Sequence, residues 1–305
     1  MDIGDLHAGA VETAVNYLTT PPAPMAERAH VLREATLQRI RETRYRPDEL
    51  ADLYSTVGRL SGVLAYALLD LGSPAEAMRH AEATARCAER AGDLDLAAWA
   101  AGTQSLIARF QGDYPLALQH ARRGLRWTGS GHGTGEARLR CGEAQCLANL
   151  GDAQGAYASL NLAEHAREHV GADAPGLFGF SIAKQSYYTG SSLIWLDGDQ
   201  DARRAIVSAT SAITAWRAAP PEERALKDER LAQVYIATAH ALLRDVEGAA
   251  ETVRPLLSLS GEERISWIGK RMGRLADLLS DPHYRGNHTA AELIVAIRDL
   301  SETTG

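Results

Sequence analysis

Apolar residues in this chain recur at helical spacing, and small residues punctuate the pattern at a fixed interval. Ala65/Ala77, Ser105/Ala117, Ala144/Ala156, Gly190/Ala202 and Ala237/Ala249 each lie 12 residues apart. Within each pair come an apolar helix end, a turn around Gly72, Gly112, Gly151, Asp197 or Arg244, and a new helix. These turns follow one another at steps of 40, 39, 46 and 47 residues. A small residue on each arm lets two antiparallel helices approach closely, so each unit predicts a helical hairpin. Successive hairpins predict an all-α solenoid. No stretch alternates apolar and polar residues as a half-buried strand would.

Two helices, near 5–19 and 24–43, precede the repeats and are separated by Pro21, Pro22 and Pro24. Pro47 opens the first hairpin in the first-turn position that proline tolerates, and Ser73 is placed to cap its second arm. Longer connections precede the third hairpin (Gly129 to Gly133) and the fourth (Gly171 to Gly176), and Pro220-Pro221 introduces the fifth. A last helix pair, near 261–280 and 288–302, lacks the small residues and is expected to cap the apolar end of the stack. The expected organisation is a single body over 1–305: cap helices in 1–46, five hairpins in 47–260 and cap helices in 261–305.

Composition narrows the function. A formal charge of −7 argues against direct nucleic-acid contact, which needs a concentrated basic face. Cys87, Cys141 and Cys146, odd in number and on helical segments, suit buried thiols of a reducing compartment. The start MDIGDLHAGAVETAV has no signal-peptide pattern, and no apolar run reaches the ~18 residues that span a bilayer. A cytoplasmic protein without membrane contact is expected.

Gly112-Asp113-Tyr114 followed by Ala117, and Gly151-Asp152 followed by Ala156, resemble the turn and second-helix alanine of tetratricopeptide repeats. Gly102-Thr103-Gln104-Ser105, the run Phe178 to Trp195, Ala218 to Arg224 and His283-Tyr284-Arg285-Gly286 resemble the repeat half of actinobacterial Xre-type helix-turn-helix regulators. The resemblance implies a right-handed solenoid of about seven hairpins. In such regulators a DNA-binding domain precedes the repeats, and residues 1–20 correspond to the junction before them. The chain is then either the excised sensor half of a regulator or a stand-alone relative.

The first arm of each hairpin lines the concave surface of such a superhelix. Counted from its small residue, positions −6, −3, +1 and +4 share one face. That stripe brings Arg59, Arg109, Arg138 and Lys184 beside Tyr66, Trp99, Gln145 and Tyr187, with Gln104 and Tyr188 one position off it and Gly62 and Gly102 on it. Cations beside aromatic faces suit an anionic, partly apolar effector or a short peptide. A plainer reading pairs the arginines with Asp70, Glu143 or Asp95 and uses the tyrosines to fill gaps between hairpins.

Catalytic signals are weak. No HExxH, GxSxG or GK[ST] occurs among the 10 histidines and 27 glycines; Cys141 and Cys146, five apart, point to different sides of a helix. His165 and His169, four apart, supply two metal ligands, too few to close a site. Neither cofactor nor metal is expected, and no catalysis. The leading expectation is a sensor and interaction domain that binds its effector in the groove and changes the spacing of DNA-binding domains in a homodimer. The alternative is a stand-alone adaptor for a protein partner, and a third, lesser reading is an enzyme that reuses the groove.

Overall fold

The computed structural model describes residues 2–128, 133–168, 173–196, 198–263 and 265–302. Among them are fourteen α-helices and no strand. They are α1 (Ile3–Asn16), α2 (Pro22–Glu42), α3 (Pro47–Asp70), α4 (Pro74–Ala91), α5 (Leu94–Gln111), α6 (Tyr114–Gly124) and α7 (Gly135–Asn149). The remainder are α8 (Ala153–Arg167), α9 (Ile182–Leu193), α10 (Asp199–Ala218), α11 (Leu226–Leu242), α12 (Val246–Leu257), α13 (Ser266–Leu279) and α14 (His288–Glu302). None of the helices is long and apolar enough to cross a membrane.

The chain gathers into two compact units, residues 1–181 with Pro221–Arg224, and residues 182–220 with 225–305. In the first, each helix packs on the next, and α1, α3, α5 and α7 also touch in series as a row of first arms. In the second, α9, α11 and α13 form the corresponding row, while α14 packs against α12 and α13. All ten members of the small-residue pairs are buried, from Ala65 and Ala77 to Ala237 and Ala249. The spacing therefore marks the inner faces of the hairpins, where little side-chain volume separates the arms.

A repeated device ends one helix and starts the next. Gly92, Gly112 and Gly151 adopt left-handed backbone, and the following Asp93, Asp113 and Asp152 accept the backbone N–H three residues on, at 2.8–3.0 Å. The carboxylate satisfies an amide that the helix start leaves open. Ser73 stands at the corresponding position before α4, but its side chain makes no capping bond, and Pro74 sets the first turn instead. The turn expected at Asp197 lies outside the described residues, as do Gly129 to His132 and Gly171-Ala172.

Arg244 occupies the left-handed position before Asp245, at φ 66°, the one described residue other than glycine with positive φ. An L side chain costs about 1–2 kcal/mol there. Replacing it with glycine relieves that strain, less the added freedom of the unfolded chain. Arg244→Gly is thus expected to gain about 0.5–1 kcal/mol in urea unfolding, and Gly112→Ala, whose Cβ would meet nothing within 4 Å, to lose about 1 kcal/mol from backbone strain alone.

Candidate functional site

In the first unit, Arg59, Tyr66, Trp99 and Arg138 converge across the row of first arms. Trp99 lies against α3 because Gly62 leaves room: a Cβ at Gly62 would sit 2.7 Å from the indole. Arg138 repeats the arrangement one hairpin on, with its Nη1 2.7 Å from the site of a Cβ at Gly102. Arg138 is 6% exposed. Nη1 donates to the Trp99 carbonyl at 2.7 Å, and Nη2 donates to Thr103 Oγ1 and the Tyr66 hydroxyl at 3.0 Å each. It also stacks 4.9 Å over the Trp99 ring. These acceptors make its burial tolerable, since a buried charge without partners costs several kcal/mol.

Rings continue the cluster in both directions. Tyr66 lies 5.5 Å from Trp99 and 6.2 Å edge-on from Tyr17, whose hydroxyl donates to buried Asp70 at 2.5 Å. The Phe178 ring lies 4.6 Å from that of Trp99, tilted 48° to it, with the Arg59 guanidinium 5.1 Å over the Phe178 ring. Phe178 belongs to the connection between α8 and α9. In that segment a 3-10 turn, Gly176–Phe178, packs on α1, and the Leu177 carbonyl accepts the Trp99 indole N–H at 3.3 Å. Phe180 N donates to Thr134 Oγ1 and to Asp173. A stretch of the chain's own backbone, Asp173–Phe180, thus covers this face.

The other expected residues lie elsewhere. Gln104 turns away from Arg138, accepts from Arg123, and lines a cleft of about 230 Å³ with Glu82, Arg86 and Trp127. Arg109 is buried beside Gly142, close enough to influence both Cys141 and Cys146. Gln145 is buried on α7, its carbonyl accepting from Asn149. Lys184, Tyr187 and Tyr188 belong to the second unit. There Tyr187 packs edge-on against Tyr188 at 5.4 Å and also meets Tyr235 and Trp216, and Lys184 lies 3.7 Å from Asp228. Burial, before any neighbouring charge, pushes the Tyr187 hydroxyl well above its ordinary range.

Acids and arginines do pair, in Glu143 with Arg122 and Arg140 outside the counted stripe. Arg59 pairs with Asp93 at 3.4 Å, the residue that caps α5, and not with Asp95, which is exposed near Gly133. Asp70 takes Tyr17. Tyr17, Thr103 and Phe178 occupy none of the counted first-arm positions, and only Phe178 has a sequence signal, the long step before the fourth hairpin. In the second unit Arg274 stacks 3.4 Å over Trp195, and Arg271 lies over both Trp195 and Trp267.

His169 lies outside the described residues; His165 contacts Glu168 at 3.7 Å. Among the described residues no three His, Cys, Asp or Glu side chains gather as a metal site. Burial holds the Cys141 thiol at about 12 and raises Cys146 and half-buried Cys87 as well. A raised value keeps the thiol protonated and unreactive at neutral pH.

Two outcomes follow. Gly102→Ala is expected to cost about 1–3 kcal/mol by displacing the guanidinium from its slot, measured by urea unfolding. At pH 8, Cys141 and Cys146 are expected to resist a thiol-specific disulfide reagent in the native protein and to react once guanidinium unfolds it.

No family model matches the sequence, and no curated protein is detectably similar in sequence. Among solved structures, the chain is similar to a Rap protein complexed with competence and sporulation factor, at 12% identity and a TM-score of 0.56, over 99% of each chain. At that identity the likeness is one of fold, and it agrees with a tetratricopeptide-like all-α helical repeat.

Proposed function

We propose that this chain is a helical-repeat interaction module whose ligand is a polypeptide segment. The observation that carries the reading is that the first-arm face of the first unit already holds one: Leu177 and Phe178 engage the Trp99 indole by a backbone carbonyl and a tilted ring contact. A surface of spaced hydrogen-bond donors, aromatic slots and small-residue floors suits an extended or turn-like chain. The Rap protein of similar fold, solved with a factor bound, supports the same reading.

A small anionic effector is supported less well. Arg138 is committed to three acceptors, Arg59 contacts Asp93, and Lys184 faces Asp228. An incoming carboxylate would have to compete with these acceptors, and for Arg138 with a cation already out of water. Membership of a transcriptional regulator, with homodimerisation and a DNA-binding domain ahead of the repeats, rests on the resemblance of the quoted stretches alone.

Selection of a displayed random-peptide library on the immobilised full chain tests the reading. A single consensus should emerge, and the synthetic consensus peptide at 100 times its Kd should raise the unfolding free energy by about 2.7 kcal/mol. Millimolar phosphate, acetate and citrate should leave the Tm unchanged. Enrichment of no consensus, with stabilisation by the small anions, would return the anionic-effector reading.

A further inference from the structure

We infer that Asp173–Phe180 is a built-in ligand of the first unit, and that the partner peptide is of the same chemistry: an acidic residue followed four and five positions later by an aliphatic and an aromatic residue. This rests on the polypeptide-binding reading above and specifies what that face recognises.

Each part of the segment meets a separate feature of the repeats. The Asp173 carboxylate accepts from Thr134 Oγ1 at 2.7 Å and lies near Arg167, whose pKa burial lowers and the Asp173 charge partly restores. Leu177 enters the apolar core formed by residues such as Ala14, Leu60 and Trp99, and its carbonyl accepts the indole N–H. Phe178 fills the slot between Trp99 and Arg59. Arg167 then closes the far end, lying 5.8 Å over the Phe180 ring and donating to the Phe180 carbonyl. Acid, aliphatic side chain, aromatic ring and backbone are all bound, as they would be in a peptide-recognition site.

Gly176 lets the segment approach α1. Its φ is +63°, and a Cβ there would lie 2.4 Å from the Ala14 carbonyl oxygen. Tethering gives the segment an effective concentration on the order of millimolar, so a free peptide of equal chemistry competes poorly while the segment is seated. Loosening the segment should therefore expose the site to peptide in trans.

The probe is a fluorescein-labelled peptide of the sequence Asp173–Phe180, titrated by anisotropy into the full chain. Gly176→Ala loosens the segment without altering the slot, and Phe178→Ala empties the slot; circular dichroism confirms that each variant stays helical. Both should bind the peptide at least tenfold more tightly than the wild type, and a probe with alanine in place of the Phe178 counterpart should lose that gain. Folded variants with no gain overturn the inference, and so does loss of the helical fold in both, which would make the segment part of the core. If library peptides bind the wild type and are insensitive to Gly176→Ala and Phe178→Ala, the module still binds polypeptide but not by replacing this segment.

Discussion

The first unit depends on how a bulky side chain from one hairpin is seated against the backbone of the hairpin before it. Trp99 lies over Gly62 and Arg138 over Gly102, each so close that a single methyl would collide with it. The second of these seats a guanidinium out of water, and its position is fixed by the acceptors it needs: the carbonyl of Trp99, the hydroxyl of Thr103 one turn along, and the hydroxyl of Tyr66 from the hairpin before. A hydrophobic side chain in the same slot would pack as well without prescribing an orientation. Three directed bonds prescribe one, and they tie α3, α5 and α7 in register. The small residues between arms set how closely each hairpin closes; the glycine seats set how one hairpin follows another.

Helices and turns were legible because both are local. Periodicity and small-residue spacing marked the arms of the five hairpins, and proline and the Gly-Asp pair marked many of their ends. The last pair, expected near 261–280 and 288–302 without those small residues, runs from Ser266 to Leu279, after a 3-10 turn at Gly261–Glu263, and from His288 to Glu302. Ser73 shows the limit of even a local rule, since the residue type was right for a cap but the hydroxyl does not serve as one. Partner choice was less legible. Asp93 and Asp95 are two residues apart at one helix start, and only the cap geometry of Asp93 turns it toward Ser55 and Arg59.

The covering segment was the least legible feature. Residues 171–176 read as a longer connection, and length alone does not say where a connection goes. Its contacts join positions far apart in sequence, Trp99 to Leu177 and Gly176 to Ala14. No periodicity relates such pairs. Four of the ten expected site residues do converge on one face, yet what they surround is the chain itself.

A stripe of arginines and aromatic residues is an ambiguous signal for a ligand, because the same side chains that bind anions and rings are those that can bridge successive helices of a repeat. The discriminating quantity is the balance of donors and acceptors after folding. Arg138 has acceptors from three residues within 3.0 Å, all on its own unit, so its charge holds hairpins together and is not held ready for a solute. Arg59 sits between the two cases: it contacts Asp93 at a longer 3.4 Å, remains about a quarter exposed, and covers the Phe178 ring. A cation over an aromatic face gains more as the pair is desolvated, so the ring and not a carboxylate is the natural occupant of that slot. On the polypeptide-binding proposal, the ligand of the first-arm face therefore carries an aromatic side chain there, as residues 173–180 do with Phe178.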